Sequence, residues 1–131
     1  MSKDDDDPIL VVDDDPHLRE ALAAILEQEG FRVLQAPDGE TAVRMTAAQR
    51  PGLLVVDYMM PGMNGEMVLD ALRQEHGVDT PPALLLTAAD GPLARARTSQ
   101  GAVFGLEKPF AVRDLLEAVN RHRRRLTREA S

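Results

Sequence analysis

Residues Leu53–Asp57 read LLVVD, an apolar run closing on one carboxylate, and a glycine-, proline- and methionine-rich turn, YMMPGMNG, follows at once. A run this short and this uniformly apolar reads as a β-strand buried on both faces, because a strand with one wet face would alternate. Asp57 is then its last residue. In an open α/β sheet, ligands bind in the crevice outside the carboxyl ends of the strands. The carboxylate is therefore placed where an acid can act on a ligand.

The rest of the chain repeats the pattern. Ile9–Val12 is an apolar run ending at Asp13, and Asp15-Pro16 supplies a helix N-cap followed by proline at the first helical position. Leu18, Leu22, Ile25 and Leu26 fall on one helical face, and Gly30 ends that helix. Residues 31–36 read as a second strand. Residues 38–49 read as a second helix with Ala42, Val43 and Met45 apolar, broken by Arg50-Pro51-Gly52. A third helix over residues 65–76 offers Met67, Val68, Leu69 and Leu72 as inward positions. Thr80-Pro81-Pro82 separates it from a fourth strand, Ala83–Thr87. Residues 88–100 hold only Leu93 and a few alanines as apolar positions, with Gly91-Pro92 among them, which predicts a short, weakly packed helix. Val103–Glu107 is a fifth strand, and residues 111–125 a last helix with Leu115, Leu116 and Val119 facing in. Alternating β and α elements with short connections imply a parallel sheet covered by helices on both faces, and right-handed crossovers leave few topologies open.

Composition narrows the function. At 131 residues and 44 % hydrophobic content the chain is one domain with a real core. Aromatics are 3 %, so that core must come from aliphatic residues and methionine. The absence of cysteine excludes disulfides and thiolate metal sites. No apolar stretch approaches membrane-spanning length, and MSKDDDDP lacks a secretory apolar region, so a cytoplasmic location is expected. A net charge of -7 argues against nucleic-acid binding across the whole surface. Charge is uneven. An acidic run occupies residues 4–7, and Arg121, Arg123, Arg124, Arg125 and Arg128 crowd the other end. Both read as solvated, a helix C-terminus being a favourable place for cations; the sharper reading of the arginines is a partner contact or the start of a linker.

In a parallel sheet the ends of strands one, three, four and five can share one edge. That edge would carry Asp13 and Asp14, Asp57, Thr87 and Lys108. Each has an ordinary explanation alone, as a cap, a β-branched filler or a solvated lysine. Together they form a site. Three converging carboxylates repel one another, so their pKa values rise or a cation binds. With only oxygen donors at hand, the hard cation Mg²⁺ is the natural choice. Carboxylates that hold a metal beside a hydroxyl and an ammonium make a phosphoryl-binding arrangement, and aspartate is a known nucleophile in such sites.

Four ordered segments, ILVVDDDP, LLVVDYMMPGMNG, LLLTA and EKPF, make the chain similar to the receiver domain of two-component response regulators from about Pro8 to Arg125. The resemblance implies a flavodoxin-like (βα)5 sheet with strand order 2-1-3-4-5. It implies a receiver over residues 8–125, an acidic tail over 1–7 and a tail or linker start over 126–131. Asp57 would be the phosphoacceptor. Asp14 would bind Mg²⁺ directly, Asp13 mainly through water, and the backbone carbonyl of Met59 would be a further ligand. Thr87 would hydrogen-bond the phosphoryl group and carry the conformational signal, and Lys108 would pair with it. The Lys108-Pro109 bond would be cis, and Ala88 would leave room for the phosphoryl oxygens. The partners would be a histidine kinase or histidine phosphotransfer protein and a downstream target or output domain. Nucleic acid and membrane are not expected partners of this domain. No role falls to His17, His76 or His122, which are expected to be solvated.

The chain departs from the family pattern near the fifth strand. The position three before the lysine usually holds Tyr or Phe, an aromatic that swings inward with the threonine. Here it is Gly105, and Phe104 stands one place earlier. A one-residue shift in a strand sends the side chain to the opposite face unless a bulge restores its aim. The expectation is that Phe104 faces the other way and the usual switch is absent. An exposed Phe104 would then be a partner contact. The acidic pair usual in one DNA-binding subfamily is replaced by Val103-Phe104, so that subfamily's dimer salt bridges are not expected.

Three rivals remain. A pseudo-receiver would keep the fold as a protein-binding scaffold. An aspartate-nucleophile phosphohydrolase needs an acid two residues after its nucleophile, and Asp57 is followed by Tyr58 and Met59. Flavin or dinucleotide binding needs a glycine-rich loop after the first strand, which is absent.

Overall fold

The computed structural model describes residues 7–88 and 103–123. The elements are β1 (Ile9–Val12), α1 (Pro16–Gln28), β2 (Val33–Ala36), α2 (Gly39–Gln49), β3 (Leu53–Asp57), α3 (Gly65–His76) with a 3₁₀ turn at Gly77–Asp79, β4 (Ala83–Thr87), β5 (Val103–Glu107) and α4 (Val112–His122). The weak helix expected over residues 88–100 lies, beyond Ala88, outside the described residues, as do residues 1–6 and 124–131.

The strands form one parallel sheet in the order β2-β1-β3-β4-β5. All residues of β1, β3 and β4 are buried. The two faces of the sheet carry separate cores. One gathers Leu10, Val12, Leu54, Val56 and Leu85 under Val68, Leu69 and Leu72 of α3. The other gathers Ile9, Val11, Leu53, Val55, Leu84 and Leu86 under Leu22 and Leu26 of α1 and Leu115 and Val119 of α4. Each such aliphatic side chain contributes roughly 1.5–3 kcal/mol by leaving water. Three helices are capped by their own sequence. Asp15 accepts from the N–H groups of His17 and Leu18, Asp38 from Thr41, and Asn64 from Met67.

Several expectations are corrected. β2 begins at Val33; Phe31 is buried but belongs to the turn that closes α1, where its N–H donates to the Leu26 carbonyl. Asp38 is the cap of α2 and not its first residue. Met67 is 47 % exposed, because Val68, Leu69 and Leu72 fill the inner face of α3. α4 stops at His122. Arg123 is buried, its guanidinium 5.2 Å from the centroid of Phe31, so this arginine is not part of a solvated helix end.

Candidate functional site

The register aligns the strand ends. Val12 pairs with Val56, Asp57 with Leu86, and Thr87 with Glu107, so the residues following β1, ending β3 and β4, and following β5 reach one edge. The ladder continues past the strands. The Tyr58 N–H donates to the Leu86 carbonyl at 3.0 Å, and the Lys108 N–H to the Thr87 carbonyl at 2.7 Å. The Lys108-Pro109 peptide is cis.

Carboxylate oxygens of Asp13, Asp14 and Asp57 lie within 4.8 Å of one another. Asp13 and Asp57 are buried, and Asp14 is exposed. Oδ1 of Asp57 accepts from Lys108 Nζ at 3.0 Å and from the Met59 N–H at 3.4 Å. Oδ1 of Asp13 accepts from the Asp15 N–H at 3.0 Å, while its Oδ2 is buried with no partner among the described residues. Burial raises the Asp13 carboxyl above its ordinary range, the Asp15 N–H opposes this, and the charge of Asp57 adds to the rise. A buried carboxylate oxygen without a donor costs free energy that a cation would offset. A cluster of three carboxylates offers the oxygen donors that suit Mg²⁺, so the residues present fit that ion. The Oγ1 of Thr87 is likewise buried without a partner among the described residues.

The four charged side chains predicted from the sequence therefore meet at one edge, and Thr87 ends β4 at that same edge. The Met59 side chain points to solvent, being 70 % exposed, while its backbone stays beside Asp57. Two contributors were not anticipated. Gly65 opens α3 against the site: a Cβ there would lie 3.0 Å from Tyr58 Cα and 3.3 Å from the Asp57 carbonyl. Arg19 donates to the backbone carbonyl of Asp13 at 2.9 Å. Glycine directly after an Asn cap was a visible signal for the first. The second had none, since its acceptor is a backbone atom.

Phe104 and Gly105 sit in an unbroken register, Phe104 opposite Leu84 and Gly105 opposite Leu85. No bulge re-aims the aromatic. Phe104 packs with the α1–α4 core, whereas Leu85 belongs to the α3 core. The ring is half-buried and stacks on His122 with centroids 3.5 Å apart. The expectation of an exposed Phe104 and a solvated His122 is corrected by this stack. His76 is also partly buried, its Nε2 closed off from solvent; His17 is exposed.

Comparison with known proteins converges on one family. The model of the response regulator receiver domain matches residues 9–120. Response regulator MprA of Mycobacterium tuberculosis is 46 % identical over 110 residues, 82 % of this chain and 46 % of that protein. The C4-dicarboxylate transport transcriptional regulatory protein DctD of Pseudomonas aeruginosa is 39 % identical over 115 residues, 86 % of this chain and 24 % of that protein. The chain spans about half the length of the MprA relatives and a quarter of DctD. Among solved structures, the chemotaxis protein CheY4 of Vibrio cholerae matches with a TM-score of 0.79 at 29 % identity, covering 88 % of this chain and 98 % of that one.

Proposed function

The chain belongs to the response regulator receiver domain family, and on that premise we propose that it is the phosphoacceptor module of a histidine-to-aspartate phosphorelay, with Asp57 taking the phosphoryl group. Its role is in signalling and not that of a metabolic enzyme. One observation carries the proposal: Asp57 lies within 4.8 Å of two other carboxylates and 3.0 Å from the Lys108 ammonium. Residues 8–125 are the receiver unit in this reading, with residues 1–7 and 126–131 as flanking segments, and the setting is cytoplasmic.

The donor is the phosphohistidine of a histidine kinase or phosphotransfer protein. Lys108 and the Met59 N–H occupy Oδ1 of Asp57, which leaves Oδ2 as the attacking oxygen. Oδ2 forms a bond to phosphorus. The bond from phosphorus to the imidazole nitrogen breaks, and its electron pair stays on the imidazole. An acyl phosphate on Asp57 results. Asp13, Asp14, Asp57 and the Met59 carbonyl would hold Mg²⁺, which would supply neutralisation of charge on the phosphoryl oxygens. Lys108 turns its ammonium from the carboxylate to a phosphoryl oxygen. The Thr87 hydroxyl, buried and without a partner among the described residues, donates to another. That new bond supplies the pull by which Thr87 reports phosphorylation to a downstream target or output domain. The usual inward-swinging aromatic has no counterpart at Gly105, so the readout differs from the common one at that step.

A scaffold that never carries a phosphoryl group draws no support from three carboxylates gathered beside the Lys108 ammonium. Incubation with acetyl phosphate and Mg²⁺, followed by intact-mass spectrometry, tests the proposal. One added phosphoryl group is expected, absent without metal and absent from Asp57→Asn. No gain under any condition would remove the phosphoacceptor reading.

A further inference from the structure

We infer that Arg19, on α1, is a positioning residue for the acidic pair that follows β1. This rests on the reading of Asp13 and Asp14 as metal ligands. In a parallel ladder a residue donates its N–H to one neighbour position and accepts at its carbonyl from the position two further on. Asp13 makes the first of these bonds, to the Ala36 carbonyl at 3.2 Å. The second would come from the N–H of Asp38. That backbone has already left the strand, through Pro37 into the α2 cap, where the Asp38 side chain accepts from Thr41. The Asp13 carbonyl is thus left without its ladder donor. Arg19 replaces it, with Nη1 at 2.9 Å from that carbonyl. The same guanidinium donates through Nε to Oε1 of Gln35 on β2 at 3.2 Å, so its plane is held at two points.

The bond matters because of what the Asp13 carbonyl belongs to. It is half of the peptide plane that leads into Asp14. The Asp13 carboxylate has an anchor of its own in the Asp15 N–H. The Asp14 carboxylate is exposed and has no hydrogen bond among the described residues, so its aim depends on the backbone that carries it. Fixing the 13–14 peptide is what holds that carboxylate within reach of Asp13 and Asp57. Arg19 touches neither phosphoryl group nor metal; it acts through Asp14. Its charge-assisted bond to a carbonyl is of the stronger kind, and a planar two-point grip is one that arginine makes and lysine does not.

The test titrates the 131-residue chain with Mn²⁺, read by electron paramagnetic resonance, with Mg²⁺ as competitor. Thermal unfolding without metal is followed in parallel. Arg19→Ala is expected to weaken Mn²⁺ binding about tenfold, the usual scale for removing a group that orients a ligand. Arg19→Lys, which retains one donor for the carbonyl, should recover part of the loss. Gln35→Ala, which frees one side of the guanidinium, should weaken binding by a smaller factor and covers the case in which Arg19→Ala fails to fold. Unchanged Mn²⁺ affinity in Arg19→Ala or Gln35→Ala, with a lowered melting temperature, would overturn the inference and leave Arg19 as a staple between α1 and the sheet. Absence of Mn²⁺ binding to the unaltered chain would instead overturn the metal-site reading, and the inference with it.

Discussion

Phe104 on β5 and His122 in the last turn of α4 stack face to face, with ring centroids 3.5 Å apart and an angle of 13° between the planes. The pair ties the edge strand to the final helix on the sheet face away from the α3 core. Phe104→Ala should lower stability by about 2–3 kcal/mol, below the cost for a fully buried phenylalanine because the ring is half-covered. Urea unfolding measures this. A change within the scatter of ordinary surface substitutions would mean that the stack contributes nothing.

The same pair gives His122 a pH dependence. Burial, and then the charge of Arg121, hold its imidazolium below the usual range of about 6.5. The unfolded chain then takes up the proton more readily than the folded one. Stability is full above the unfolded value and declines as pH falls below about 6.5. His122→Gln should flatten the decline between neutral pH and pH ~5.5. In Phe104→Ala, whose ring no longer covers the imidazole, the His122 titration followed by NMR should move upward.

Asp13 predicts an opposite sign. Its raised carboxyl favours the protonated form in the folded state, so the cost of ionising it appears as pH rises through the folded value. At neutral pH, Asp13→Asn should raise the metal-free melting temperature by a few degrees, each kcal/mol being worth about 2–8 °C for a domain of this size. It should also abolish any stabilisation by Mg²⁺. Calorimetry with and without the ion checks both. A lower melting temperature for metal-free Asp13→Asn would contradict the account of an underpaired buried carboxylate.

Gly65 marks where α3 starts against the site. A methyl group there would approach Leu85 Cδ1 at 2.5 Å and Tyr58 Cα at 3.0 Å. The leucine tip can rotate, but the Tyr58 backbone is held by the ladder bond to Leu86 and by the Gly65 N–H. Gly65→Ala should therefore cost about 1–3 kcal/mol. It should also slow acetyl phosphate labelling of Asp57 by displacing the Met59 backbone. Wild-type labelling rates in a folded Gly65→Ala chain would show that the turn tolerates the shift.

Much of this protein is legible in the order of its residues. Apolar runs at β1, β3 and β4 identify strands because burial on both faces requires uniform apolarity. Asp15-Pro16 and Asn64-Gly65 mark helix starts because capping is settled within three or four residues. Once the sheet is parallel, the residues after the strands must share an edge. Pattern alone therefore brings Asp13, Asp14, Asp57, Thr87 and Lys108 together.

The tertiary structure alone decided the rest. Met67 and Val68 look alike in an apolar pattern, and only the space beneath α3 leaves one outside. Arg123 reads as one of a solvated cluster until Phe31 lies under it. The face taken by Phe104 depended on whether β5 kept its register against β4, a choice made by hydrogen bonds between separate strands. Arg19 finds a carbonyl left open because β2 turns away first. Local pattern records what each residue prefers. Which partner it obtains is settled by competition among segments far apart in the chain, and that competition has no signature in the order of residues.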